Sequence, residues 1–90
     1  MVTIVISHKV RNFDEFKKAF DEHEKMRVKE GIKITGLYCA ADNKNQVTAI
    51  SEAATVESAK AFISSSDLKA AMERAGVTSE PEIKILTKVQ

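Results

Sequence analysis

Glycine, proline, cysteine and aromatic residues are all scarce in this chain: three Gly, one Pro, one Cys, four Phe, one Tyr and no Trp. Three scattered glycines exclude a phosphate-cradling glycine-rich loop, which needs several within a few residues. A single cysteine, Cys39, excludes an internal disulfide. It sits in an apolar segment with no neighbour at metal-ligand spacing, so it is expected to be a small buried hydrophobe and no metal site is expected. Charge of one sign is also lacking. Fourteen basic and thirteen acidic residues leave a net charge of +1, with no Lys/Arg cluster and no stripe of alternating basic and aromatic residues. Nucleic acid and anionic membrane are therefore not expected as partners. No apolar run approaches the roughly 20 residues of a transmembrane helix, and the N-terminal stretch lacks a signal-peptide layout. A cytoplasmic protein is expected.

What is present reads as one α+β domain over residues 1–90. VTIVISHKV, residues 2–10, is short and rich in β-branched residues, as a strand is. NFDEFKKAFDEHEKMRVKEG has a helical period: Asn12 is placed to cap, Glu15 completes a capping box, and Gly31 suits the stop, giving one helix of about five turns. IKITGLYCAA and QVTAISEAA are strands joined through DNKN, where Asn and Asp tolerate left-handed geometry. Thr55 caps a short helix with Val56, Ala59, Phe62 and Ile63 on one face. Ser66 caps a further turn or two through Leu68, Ala71, Met72 and Ala75 to a stop at Gly76. After Pro81, EIKILTKV alternates as a last strand.

The order β-α-β-β-α-β is that of the ferredoxin-like fold, a four-stranded antiparallel sheet with helices on one face. The stretches ISHKVRN and ISEAAT echo each other and set His8 and Glu52 at corresponding points of the two halves. With the first and third strands read as central, parallel neighbours, His8 and Glu52 fall near the same end of adjacent strands. Val47, Ala49, Ser51 and Ala53 are mostly small and complement the bulky Phe13, Phe16 and Phe20, which places the helices on that side and His8 and Glu52 on the other. That other face is expected to carry Ile4, Ile6, Ile34, Ile50, Ile83 and Ile85, too apolar to face water. Its simplest cover is the same face of a second copy, in a closed two-fold dimer that encloses a cavity.

The strand order, the length, the second apolar sheet face and the pieces HKVRNFDEFKKAF, HEKMRVKEGI and AKAFISSSDLKAAMERAGV together resemble the dimeric α+β barrel superfamily. That superfamily includes antibiotic-biosynthesis-type monooxygenases, stress-responsive barrel proteins and small isomerases, and the likeness is greatest to its small uncharacterised bacterial members. The resemblance is architectural and spans the whole chain. It implies a homodimer, or a larger homo-oligomer built from it. Its enzyme members imply monooxygenase or isomerase chemistry without a bound cofactor. The aromatic-rich cavity of heme-degrading or quinone-forming members has no counterpart here.

His8 is the leading candidate residue. Projecting into the dimer cavity, its imidazole would serve as a general base or orient a ligand, with Glu52 accepting its N–H and fixing the tautomer. The plainer alternative is a strand-end histidine hydrogen-bonded in place. Tyr38, read in phase with Ile34 and Gly36, is expected to offer a phenol to the same cavity or to pack at the interface. His23 lies within about 20° of Phe16 around the helix, so it is expected as a core histidine; Met26 and Met72 are expected as packing residues. Arg27 and Glu30 are expected at a cavity mouth or on an ion-paired helix face. Three readings follow: a module binding a small, largely apolar organic molecule between subunits, a cofactor-independent enzyme with His8 as base, and a purely structural assembly unit.

Overall fold

A computed structural model describes all of residues 1–90 and has the expected β-α-β-β-α-β plan, with each helical segment divided in two. The strands are β1 (Val2–Lys9), β2 (Lys33–Ala40), β3 (Asn43–Ala53) and β4 (Glu82–Thr87). The helices are α1 (Phe13–Glu22), α2 (Glu24–Lys29), α3 (Val56–Ile63) and α4 (Ser66–Arg74). One sheet in the order β2-β3-β1-β4 is antiparallel at every pairing, and the helices cover one of its faces. This is the ferredoxin-like fold.

The expected parallel pairing of β1 with β3 is corrected. β3 follows β2 through a hairpin and must run against it, while α1 and α2 carry the chain back so that β2 runs the same way as β1; β3 is thus antiparallel to β1. The register sets His8 opposite Val47 and Thr3 opposite Glu52. Side chains of directly paired residues lie on the same face, so Ile4, Ile6 and His8 share the helix-covered face with Val47, Ala49 and Ser51. The placement of the helices over the small residues of β3 holds; the placement of His8 on the uncovered face does not.

Two apolar clusters lie under the helices. Val2, Ile4, Ile6 and Ala53 of the sheet pack with Ile32, Ala59, Phe62 and Leu68 in one; Val10, Phe16, Val47 and Ala75 form the other. The uncovered face carries Val5, Ile50, Leu86 and Tyr38 among Thr3, Ser7, Thr48, Glu52 and Lys84. It is less apolar than expected, because Ile4, Ile6, Ile34, Ile83 and Ile85 all turn inward. Ile34 does so because β2 has a register shift between Ile34 and Gly36, a bulge at Thr35 that reverses the alternation beyond it. Gly36 and Tyr38 therefore face outward while Ile34 and Leu37 face the helices.

Local capping explains where the helices begin. Asn12 accepts a hydrogen bond from the Glu15 backbone N–H at 3.0 Å, and Asn45 of β3 accepts one from the Phe13 N–H at 3.0 Å, so α1 starts locked to the sheet. Glu15 pairs with Arg11 rather than closing the expected capping box. The helix expected to run unbroken to Gly31 is divided at His23. The ring Nδ1 of His23 donates to the Ala19 carbonyl at 2.7 Å, an acceptor its own backbone N–H also uses at 3.2 Å, and such competition loosens a helical turn. Thr55 and Ser58 form a reciprocal capping box at α3. Ser65, not Ser66, caps α4 by accepting from the Leu68 N–H at 3.1 Å. Gly31 and Gly76 have φ of 75° and 79° and end their helices, as expected. No other residue has positive φ, so the β2–β3 turn needs no left-handed Asn or Asp.

Candidate functional site

A cavity of about 70 Å³ lies within the chain, between the sheet and the helices, at the seam where the two apolar clusters meet. Eleven of its fifteen lining residues are hydrophobic, so its four polar residues set its chemistry. They are His8 on β1, Ser51 on β3, His23 at the α1–α2 junction and Arg27 on α2.

His8 is 5% exposed and stacks edge-on against Phe16, with ring centroids 5.3 Å apart. Burial among apolar neighbours disfavours the imidazolium and lowers the His8 pKa below its ordinary 6.5. Its Nδ1 is buried and has no hydrogen-bond partner. A buried ring nitrogen without a partner is costly, and the nearby backbone of His8 and Lys9 offsets only part of the burial effect.

Arg27 is 8% exposed, and its guanidinium lies over the Phe20 ring, 3.9 Å from the centroid. No carboxylate forms an ion pair with it, and its Nε is buried without a partner. Burial lowers its pKa, opposed by the charges of Glu24 and Asp21; a guanidinium nonetheless stays protonated in proteins. His23 donates from Nδ1 to Ala19, which leaves Nε2 without a protein partner. Ser51 is buried beside them.

The expected trio is not assembled. His8 lines the cavity between the sheet and the helices. Glu52 lies on the opposite face of the sheet and five residues along the ladder from the His8 pairing, roughly 17 Å away along the strands. Glu52 therefore cannot orient the His8 ring. Tyr38 is 57% exposed on the uncovered face, where its ring folds back over Gly36; a Cβ at Gly36 would come within 2.5 Å of it. His8, Tyr38 and Glu52 thus do not line one inter-subunit cavity. Cys39, expected to be buried, is exposed, because the edge strand β2 leaves it beyond the reach of the helices.

Arg27, His23 and Ser51 were not anticipated as a group. A signal for the first two exists in the sequence: Phe16, Phe20, His23 and Arg27 are spaced i, i+4, i+7 and i+11, and Arg27 falls within about 20° of Phe16 around a regular helix. A charged residue in phase with a buried aromatic stripe marks either a paired cation or a site. No group of three or more metal-ligating side chains is gathered anywhere in the chain, and no helix is long and apolar enough to cross a membrane.

No protein-family model matches this chain, and no curated protein matches it. Solved structures match it over almost its full length. A protein provisionally assigned as an antibiotic biosynthesis monooxygenase, from Bordetella bronchiseptica, superposes with a TM-score of 0.83 at 14% identity, over 99% of this chain and 97% of that one. SnoaB, a cofactor-independent oxygenase from Streptomyces nogalater, gives 0.78 at 18% identity over 99% and 93%. A conserved protein from Methanosarcina mazei Go1 gives 0.75 at 23% identity over 97% and 91%. The chain shares with these structures a ferredoxin-like α+β fold.

Proposed function

We propose that this protein takes a small organic molecule into the cavity between its sheet and helices, and that His8 acts there as the proton acceptor. The observation that carries the reading is the buried, unpartnered Nδ1 of His8, whose neutral form burial favours, on a largely apolar wall. A pocket with apolar walls and a few convergent polar groups, one with a perturbed pKa, is the usual form of a small-molecule site. The site belongs to one protomer rather than to a space between two.

A general base in a dry pocket removes a proton from an activated carbon or hydroxyl, leaving an anion on the ligand and an imidazolium on the protein. That step opens both isomerisation and cofactor-independent oxygenation, the activity of the structurally similar SnoaB. In an oxygenase the ligand anion would be the reductant and dioxygen the oxidant.

The reading is tested by adding small organic molecules of four to six non-hydrogen atoms to ¹⁵N-labelled protein. Saturable shifts at the amides of Ala49, Ser51 and Ala71 are expected, with Thr48 and Glu52 on the other face unmoved. Saturable shifts confined to Thr48, Glu52 and Tyr38 would place the site on the uncovered face instead.

A second proposal concerns assembly. Tyr38 and Leu86 are 57% and 45% exposed and share the uncovered face with Val5 and Ile50. This supports a homodimer closed through that face, with the ligand cavities outside the interface.

A further inference from the structure

We propose that the natural ligand is a small organic monoanion, a short-chain carboxylate with an apolar body, whose carboxylate is held by Arg27 while His8 meets the carbon next to it. This rests on the reading of the cavity as a ligand site and adds the ligand's charge and size.

Charge is set by Arg27. Arg27 is 8% exposed as a whole residue and has an aromatic face on one side of its guanidinium, but no carboxylate pairs with it and its buried Nε donor is unused. Desolvated cations in folded proteins are paired or are held for a ligand. Asp21 and Glu24 are both solvent-exposed, and neither approaches within ion-pair distance. The cation–π contact with Phe20 orients the planar group but supplies no acceptor. An anion entering from outside the chain would supply the acceptor that Nε lacks. A planar guanidinium presents paired N–H donors that match the two oxygens of a carboxylate.

The number of charges follows from the rest of the wall. The pocket holds one cation, one histidine kept neutral by burial and a second whose Nδ1–H is committed to Ala19. That balances one negative charge. A phosphate dianion would leave oxygens against Ile6, Phe62 and Leu68 with nothing to donate to them. Size follows from volume: about 70 Å³ corresponds to about five to seven water-sized positions at roughly 10–15 Å³ each. It is far below the roughly 300–1,000 Å³ that holds a drug-sized molecule. A carboxylic acid of about four to six non-hydrogen atoms fits.

Butyrate and its neutral isostere butyramide, titrated at pH 7.5 and constant ionic strength into the ¹⁵N-labelled full chain, separate the two claims. Butyrate is expected to shift the Ala49, Ser51 and Ala71 amides saturably, with a Kd at least tenfold lower than that of butyramide. Arg27→Gln is expected to remove that gap, and Arg27→Lys to keep part of it. Equal Kd values for the two probes on the wild-type protein overturn the monoanion assignment and leave the cavity standing as a site for neutral molecules. No saturable shift at these amides with either probe overturns both. The wild-type comparison is decisive by itself should Arg27→Gln fold poorly.

Discussion

At the residue scale, His8 and Arg27 are buried polar groups that each leave a ring or guanidinium nitrogen without a hydrogen-bond partner. Because burial lowers the His8 pKa, the unfolded chain binds its proton more readily than the folded one. Stability contributed by the neutral ring is therefore fully present above the unfolded value of about 6.5 and falls as pH drops below it. The charged and titratable groups around it in the cavity are His23 and Arg27, neither an acid. Urea unfolding between pH 7.5 and 5.5 should show the wild type losing stability toward the acid end. His8→Gln, which cannot titrate, should show a shallower slope; identical slopes would remove His8 as the cause.

Arg27→Met gives a second residue-scale test. Losing one partner of a buried ion pair is normally costly, but Arg27 has no ionic partner to strand. Methionine keeps the length, packs on Phe20 and removes an uncompensated charge, at the expense of a cation–π contact. Stability within about 1 kcal/mol of wild type, or above it, is expected by thermal or urea unfolding. A loss of several kcal/mol would mean that the guanidinium is structural.

At the scale of elements, the chain's start and stop signals were legible because each is local. Asn12, Thr55, Gly31 and Gly76 act through their own side chains or their own φ, and all four do in the structure what their positions implied. Gly76 is buried at φ 79°, and its carbonyl accepts from the Arg11 N–H at 2.8 Å, so the end of α4 is tied to the loop after β1. Gly76→Ala should lower stability by roughly 1–2 kcal/mol, read from urea midpoints, because an L-residue is strained in the left-handed region. Less legible were features that depend on two elements at once. The bulge at Thr35 reverses the phase of β2 through its pairing with β3, so Tyr38 could not be assigned a face from alternation alone. The break at His23 depends on a side-chain bond to Ala19 that no period reveals.

At the scale of the molecule, the fold was readable from element order, yet the site was not, and one geometric step separates them. Reading β1 and β3 as parallel brought His8 and Glu52 together; the antiparallel register sets His8 against Val47 and carries it beneath the helices. His8 remains the candidate, but its expected surroundings change from a space between two copies to the cavity between sheet and helices. Burying Ile4, Ile6 and Ile34 inside also shrinks the apolar area left for a partner to Val5, Ile50, Tyr38, Leu86 and their neighbours. A homodimer through this patch is expected to weaken on Ile50→Asp, which places a charge at its centre. Sedimentation velocity should show the wild type as a dimer and Ile50→Asp as a folded monomer, with butyrate-induced shifts at Ala49 and Ser51 retained. Loss of those shifts together with the dimer would show that the site spans two copies.

The most direct measurement is the ring ¹⁵N resonance of His8 followed through a pH titration, with and without butyrate. The His8 ring is expected to stay neutral to below pH 6.5 in the free protein, with a pKa that rises when a carboxylate enters, because a bound anion favours the imidazolium. A His8 ring that titrates at its ordinary 6.5, and whose resonance is indifferent to added butyrate, would contradict this expectation.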